Sequence, residues 1–135
     1  MKKIISILLV MIVMCSLVAC GSTTSEFTVD FKESKVVALE TSDGTKNMLL
    51  LFFDFTNGSD NNVAPMDGVD IKAFQNGVAL SFHTLYDLEE MGDAIPCDTE
   101  VQSGANASVV WFFELTDDSA VSVEVDGEIF TVEVK

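Results

Sequence analysis

The sequence is poor in several residue types at once. Its 135 residues include one His, two Pro, three Cys, one Trp and one Tyr, and 7 Lys+Arg stand against 22 Asp+Glu for a formal net charge of −15. Phosphate binding needs clustered Lys/Arg, so so few basic residues exclude nucleic acid as a partner. A lone histidine, His83, removes most zinc sites and most acid–base catalysis. The length leaves room for one domain and excludes large multidomain enzymes and long solenoids. What is plentiful is apolar: 48% hydrophobic residues is too much for a disordered tail, even at this charge.

The apolar run at the start reads as an address. Met1-Lys2-Lys3 is basic, and Ile4 to Leu17 is apolar apart from Ser6, Cys15 and Ser16. As a helix it would reach only about 21 Å, short of a bilayer core of ~30 Å, which describes an export signal. Leu17-Val18-Ala19-Cys20-Gly21 resembles a lipobox, in which Cys20 would receive a diacylglycerol thioether and the chain would be cut before it. An ordinary secretion signal and an uncleaved anchor are the competing readings. The expected division is a signal peptide over 1–19, a lipidated Cys20 with a polar tether over 20–26, and a folded domain over 27–135. Removing Lys2 and Lys3 takes the net charge from −15 to −17. Two acyl chains hold a protein to a membrane firmly, while an acidic domain is repelled by an anionic surface. Six tether residues span at most about 20 Å, so the domain would hang beside the membrane without lying on it.

Cysteine then runs out. Cys15 leaves with the signal and Cys20 goes to lipid, so Cys97 stands alone and no intramolecular disulfide is available to the exported domain.

From Phe27 onward the apolar period is two, punctuated by turn dipeptides. Strands are expected at Phe27–Phe31, Ser34–Thr41, Asn47–Thr56 (the longest), Val69–Gln75, Val78–Leu85, Ala107–Leu115, Val121–Val125 and Glu128–Val134. Asp43-Gly44, Asn76-Gly77 and Asp126-Gly127 are hairpin signals, and Tyr86–Asn106 is a long irregular segment. With Asp126-Gly127 as the turn, Val125, Val123 and Val121 face Glu128, Phe130 and Val132. This leaves Ser122, Glu124, Thr131 and Glu133 outside, with Ile129 the exception. With Asn76-Gly77 as the turn, Ala73 faces Leu80 and Ile71 faces Phe82. These short antiparallel strands predict one all-β sandwich of seven to eight strands, with Phe53, Phe55, Val109, Trp111, Phe113 and Leu115 in its core.

Three segments carry a family resemblance. Leu51–Asp60, with Phe55-Thr56-Asn57-Gly58-Ser59, resembles the strand and "FTN-x-S" loop of a family of uncharacterised Gram-positive lipoprotein domains. Lys72–Val78 resembles that family's "KAFQNG" hairpin, and Val101–Ala105 its "x-x-x-G-A" turn before a hydrophobic strand. The resemblance runs from Val36 to Val125. It implies an immunoglobulin-like sandwich, catalogued as a domain of unknown function and distantly similar to sandwich domains of secreted mycobacterial antigens. It attaches no catalytic residues to the chain.

Four constellations could carry chemistry. The hairpin register puts Asp70 opposite His83 with Ser81 two residues away, an imitation of a nucleophile–base–orienter set on an open strand surface; an exposed cross-strand pair is the plainer account. Asp54, Asp60 and Asp67, among Asn57, Asn62 and Asp70, are oxygen ligands of the kind calcium uses, without EF-hand spacing; solvated loop carboxylates explain them as well. Cys97 sits among Asp93, Asp98 and Glu100, which should raise its pKa and blunt it as a nucleophile. Finally, Phe53, Phe55, Trp111 and Phe113 pointing inward forces Met48, Leu50, Phe52, Val110 and Phe112 outward. That face is either covered by Phe27–Phe31 or the long segment, the preferred account, or it is an exposed patch for a partner at Leu50, Phe52, Val110 and Phe112.

The expected function is a membrane-anchored, extracytoplasmic, non-catalytic binding or accessory module, lipidated at Cys20 and needing no cofactor. An envelope protein or a cationic ligand suits its acidic surface. A calcium-dependent adhesion domain and a hydrolase using Asp70, His83 and Ser81 are the alternatives.

Overall fold

The structure is a computed structural model that describes residues 26–134; the expected signal peptide, Cys20 and most of the expected tether lie outside the described residues. Nine strands form two antiparallel sheets stacked face to face, a β-sandwich. The first sheet has the order β1 (Phe27–Thr41), β2 (Gly44–Asn57), β7 (Asn106–Glu114) and β5 (Ser81–His83). The two-residue β6 (Ile95–Pro96) pairs parallel with β7. The second sheet runs β4 (Val78–Ala79), β3 (Ile71–Gln75), β8 (Val121–Val125) and β9 (Glu128–Val132). A one-turn helix α1, Pro65–Gly68, links β2 to β3.

The alternating pattern builds the core between the sheets. Leu49, Leu51, Phe53 and Phe55 of β2 and Val109, Trp111 and Phe113 of β7 meet Ile71, Ala73, Val121, Val123 and Val132 of the other sheet. Aromatic edges lock this layer: Phe53 meets Trp111 at 5.4 Å and 80°, and Phe31 lies 4.8 Å from Phe130 across the sheets. Offset and edge contacts of this kind add about 0.5–1.5 kcal/mol per pair beyond burial. Five of the six core residues read from the sequence belong to this cluster, and Leu115 packs against it, partly buried.

The β8–β9 hairpin has the expected register, Val125 to Glu128, Val123 to Phe130 and Val121 to Val132, and Ile129 is 64% exposed. Asp126 and Gly127 both have positive φ, 47° and 91°, the backbone that matches the strands' twist in a two-residue turn.

Three expectations change. Phe27–Phe31 and Ser34–Thr41 are one strand, β1, interrupted by a β-bulge between Phe31 and Glu33, and at 15 residues it is one longer than β2. Its hairpin turns at Ser42-Asp43, because Thr41 already pairs with Gly44. The Asn76-Gly77 hairpin keeps its register only through Leu80, whose N–H donates to the Ala73 carbonyl at 2.8 Å. There the chain changes sheet. Phe82 pairs with Phe113 on β7, and Ile71 pairs with Val125 on β8. Period-two alternation is identical in either sheet, so the pattern itself does not specify which strand receives residues 81–83.

Candidate functional site

The crossover at Leu80 takes apart the first constellation. Asp70 stays with the second sheet, where its N–H donates to Asp126 Oδ1 at 3.0 Å and its carboxylate pairs with Lys72 at 3.3 Å. His83 goes to the first sheet and hydrogen-bonds Glu114 at 3.0 Å. Asp70 therefore does not orient His83, and the hydrolase reading on Asp70, His83 and Ser81 loses its geometry. Ser81 lies across from Glu114 on β7, and among the described residues no hydrogen bond joins it to His83.

Glu114 is the residue the sequence reading missed. It ends the outward row Val110, Phe112, Glu114 on β7, and Lys46 on β2 pairs with its other oxygen at 3.3 Å. Lys46, His83 and Glu114 line a small cavity of about 160 Å³ together with Leu39, Met48 and Leu85. A polar residue at the end of an otherwise apolar alternating row is the signal that could have found it.

The carboxylates considered for calcium do not converge. Asp54 faces outward on β2 and pairs with Lys32 at 3.1 Å, while Asp60 and Asp67 are exposed on the loop and on α1. Among the described residues no group of three or more His, Cys, Asp or Glu is placed to hold a metal ion.

The loop between them has a structural logic. Asn57 is wholly buried and uses all of its amide. Its Nδ2 donates to the carbonyls of Asn61 (2.7 Å) and Val101 (2.9 Å), and its Oδ1 accepts from the N–H and hydroxyl of Ser59 (3.0 and 2.6 Å). Gln75 does the same on the other motif. Its Nε2 donates to Asp117 and Ser119 carbonyls at 3.0 and 2.8 Å, and its Oε1 accepts from the Thr116 N–H at 2.8 Å and hydroxyl at 2.9 Å. Both residues are pegs for loops that cannot form ladders, and satisfied buried amides fix loop geometry. Gly58, between the two halves of the first motif, has no room for a side chain: a Cβ would sit 2.5 Å from the Glu26 carbonyl oxygen.

Cys97 is fully buried in the main core, and its pKa is pushed up to about 12 by burial first and the Asp98 charge second. The sequence named the carboxylates; burial is the larger cause. Asp98 also accepts a hydrogen bond from the exposed Tyr86 hydroxyl, which raises the tyrosine's pKa.

The apolar outward face is covered. Leu50, Val110 and Phe112 are 0% exposed and Phe52 is 5% exposed, so no patch is open there for a partner. With Val37, Met48 and Met91 they form a second core, and Leu39, Leu85, Leu88 and Ala94 pack against it. The cover is the segment 84–94, which leaves β5 at His83 and returns to the same edge of β7 at β6. A 3-10 turn at Glu89–Met91 lowers Met91 onto the sheet. Val37 and Leu39 on the second half of β1 extend the covered face, while Phe27 and Val29 pack on the main core instead of covering it.

Beside this cover lie two more cavities. One of about 380 Å³ is bounded by Lys32, Glu33 and Lys35 on β1, by Phe52 and Ser108, and by the segment Met91–Ala94. The other, about 190 Å³, lies on the far side of the same segment against Tyr86–Leu88 and Ile95–Pro96.

Known proteins share this architecture. A solved Staphylococcus aureus chain described as a "putative lipoprotein" superposes with a TM-score of 0.59 at 14% identity, over 81% of this chain and 84% of that one. A Bacillus subtilis chain of the same description gives a TM-score of 0.51 at 14% identity, over 82% of this chain and 37% of that one. Identity this low speaks to the fold. No curated protein sequence matches. Residues 22–127 match the family model described as Domain of unknown function (DUF5067), and a match over that much of the sequence means that the chain belongs to this family.

Proposed function

We propose that the protein is a lipoprotein held at the outer face of a cell membrane by acyl chains on Cys20, and that its sandwich is a non-catalytic binding or accessory module. The observation that carries this is the run Leu17-Val18-Ala19-Cys20-Gly21 after a short apolar segment, with six tether residues leading to the first strand at Phe27. The lipoprotein descriptions of the two structural neighbours support it. The engagement of His83 with Glu114, and of Glu114 with Lys46, supports a structural role for the one histidine. Metabolic labelling with radioactive palmitate is the test. Label should enter the wild-type chain, and Cys20→Ala should abolish both the label and sedimentation with membranes. A wild-type chain recovered without acyl mass would refute the anchor.

A further inference from the structure

We propose that the cavity of about 380 Å³ beside the second core is a binding site for a single-chain amphiphile with a carboxylate head, of the fatty-acid class. The head would lie at Lys32 and Lys35, and the chain would enter beneath residues 91–94. The location of the ligand supply rests on the lipoprotein reading, since a tether of about 20 Å keeps the site near a membrane.

Four observations converge. First, Lys32 and Lys35 are three residues apart, a spacing that a regular strand would divide between its two faces. The bulge between Phe31 and Glu33 brings both to the wall of one cavity. Bulges re-aim side chains, and here the re-aimed residues are two of the four described lysines in a chain of net charge −15.

Second, the cavity of about 380 Å³ falls within the ~300–1,000 Å³ range of small-molecule sites. It and the cavity of about 190 Å³ share Met91, Gly92 and Ala94, so one thin strip of chain borders both spaces, and the larger one reaches Phe52 on the sheet.

Third, that strip is held by side-chain packing more than by its backbone. Its backbone hydrogen bonds are local, Met91 to Leu88, Gly92 to Glu89 and Ala94 to Met91, each 3.1 Å. Among the described residues the bond that ties it to β1 comes from Lys35 Nζ to the Glu90 carbonyl at 3.1 Å. An anion at Lys35 would compete for this latch.

Fourth, Lys35 Nζ lies 4.9 Å from the centre of the Phe52 ring, which places a cation at the edge of an apolar floor. This is the layout that an amphiphile requires.

The charge balance limits what the head contributes. Glu33 and Asp93 also line the cavity, and Lys32 and Lys35 pair with Asp54 and Glu33 at 3.1 and 3.6 Å. Exposed ion pairs of this kind are weak and exchangeable. The acidic molecule offers a free anion no long-range attraction, so affinity must come from the buried chain while the lysines read the head.

The test uses the full chain in phosphatidylcholine vesicles, irradiated with a diazirine-bearing dodecanoic acid, with adducts mapped by mass spectrometry. Adducts should saturate, concentrate on residues 84–96 and on β1 near Lys35, and be displaced by dodecanoate but not by dodecyltrimethylammonium. Ala94→Phe fills the shared wall and should cut labelling about tenfold, and Lys35→Gln should weaken competition by dodecanoate about tenfold. Circular dichroism of each variant guards against misfolding, and Lys35→Gln, on the surface, remains informative if Ala94→Phe fails to fold. Adducts scattered over the surface, equal displacement by the cationic amphiphile, or wild-type behaviour in Lys35→Gln would overturn the proposal. Failed labelling of a chain that carries acyl mass sinks this site alone; specific labelling of a chain without acyl mass sinks only the anchor.

Discussion

Asn57 and Gln75 show at the residue scale why the two recognisable motifs are polar within an apolar chain. Each sits at the end of a strand and satisfies main-chain groups of a neighbouring loop. Asn57→Ala would strand two carbonyls together with the Ser59 donors. Unpaired buried groups cost about 1–3 kcal/mol each before relaxation, so a net loss of about 3 kcal/mol is expected in urea unfolding. Ser59→Ala, which removes one hydroxyl, should cost about 1 kcal/mol by the same measurement. Cys97 makes a prediction of a different kind. Its folded pKa of about 12 lies above the ordinary thiol value of 9.0. A group raised on folding contributes stability that is complete below its unfolded pKa and is lost as pH rises toward the folded one. Stability should therefore decline between about pH 9 and 12, and Cys97→Ala should flatten that decline in a pH series of denaturant midpoints. At neutral pH a thiol reagent should modify Cys97 only as fast as the domain opens.

Segment 84–94 is the element on which the most depends. It begins and ends on one edge of β7 and covers the apolar face with a few side chains, of which Met91 reaches deepest. Burying a Met side chain is worth about 1.5–3 kcal/mol, enough to hold a loop that has only local backbone bonds. Met91→Asp should release it. The expected outcome is a rise in fluorescence of an anionic naphthalene dye as Phe52 and Phe112 become accessible, while the far-ultraviolet spectrum keeps its β shape. If the dye signal stays at the wild-type level, the loop is held by something other than Met91. The hairpins behave differently. The registers of β3–β4 and β8–β9 depend on turn residues with positive φ, so Gly127→Ala at φ 91° should cost about 1 kcal/mol without disturbing the pairing.

On the scale of the whole molecule, charge opposes compaction. A net −15 repels itself, and among the described residues the ion pairs that relieve it are largely exposed and weak. Added salt screens the repulsion over the ~8–10 Å Debye length of physiological conditions. The melting temperature should therefore rise between low salt and 0.15 M sodium chloride; a fall would mean that favourable pairs outweigh the net repulsion. Two cores on the two faces of one sheet offset this charge, with no disulfide bond among the described residues.

Alternation along the chain, read with its turn dipeptides, was enough to establish an all-β domain, the register of β8 and β9, and the residues of the main core. These depend on neighbours in sequence, and period two leaves one way to bury Val121, Val123, Phe53, Trp111 and Phe113. The raised pKa of Cys97 was legible in direction from its flanking carboxylates, but its larger cause, burial, was not. The crossover at Leu80 was not, because residues 81–83 alternate equally well in either sheet, and with it went the pairing of Asp70 with His83. The merger of β1 across its bulge was hidden by the charged Lys32-Glu33 pair, which reads as a break. Whether Leu50, Phe52, Val110 and Phe112 faced water or protein was decided only when the chain closed. A row of outward apolar residues states that something must cover it, but distance in space, set by the return of the chain to β7, determines what does.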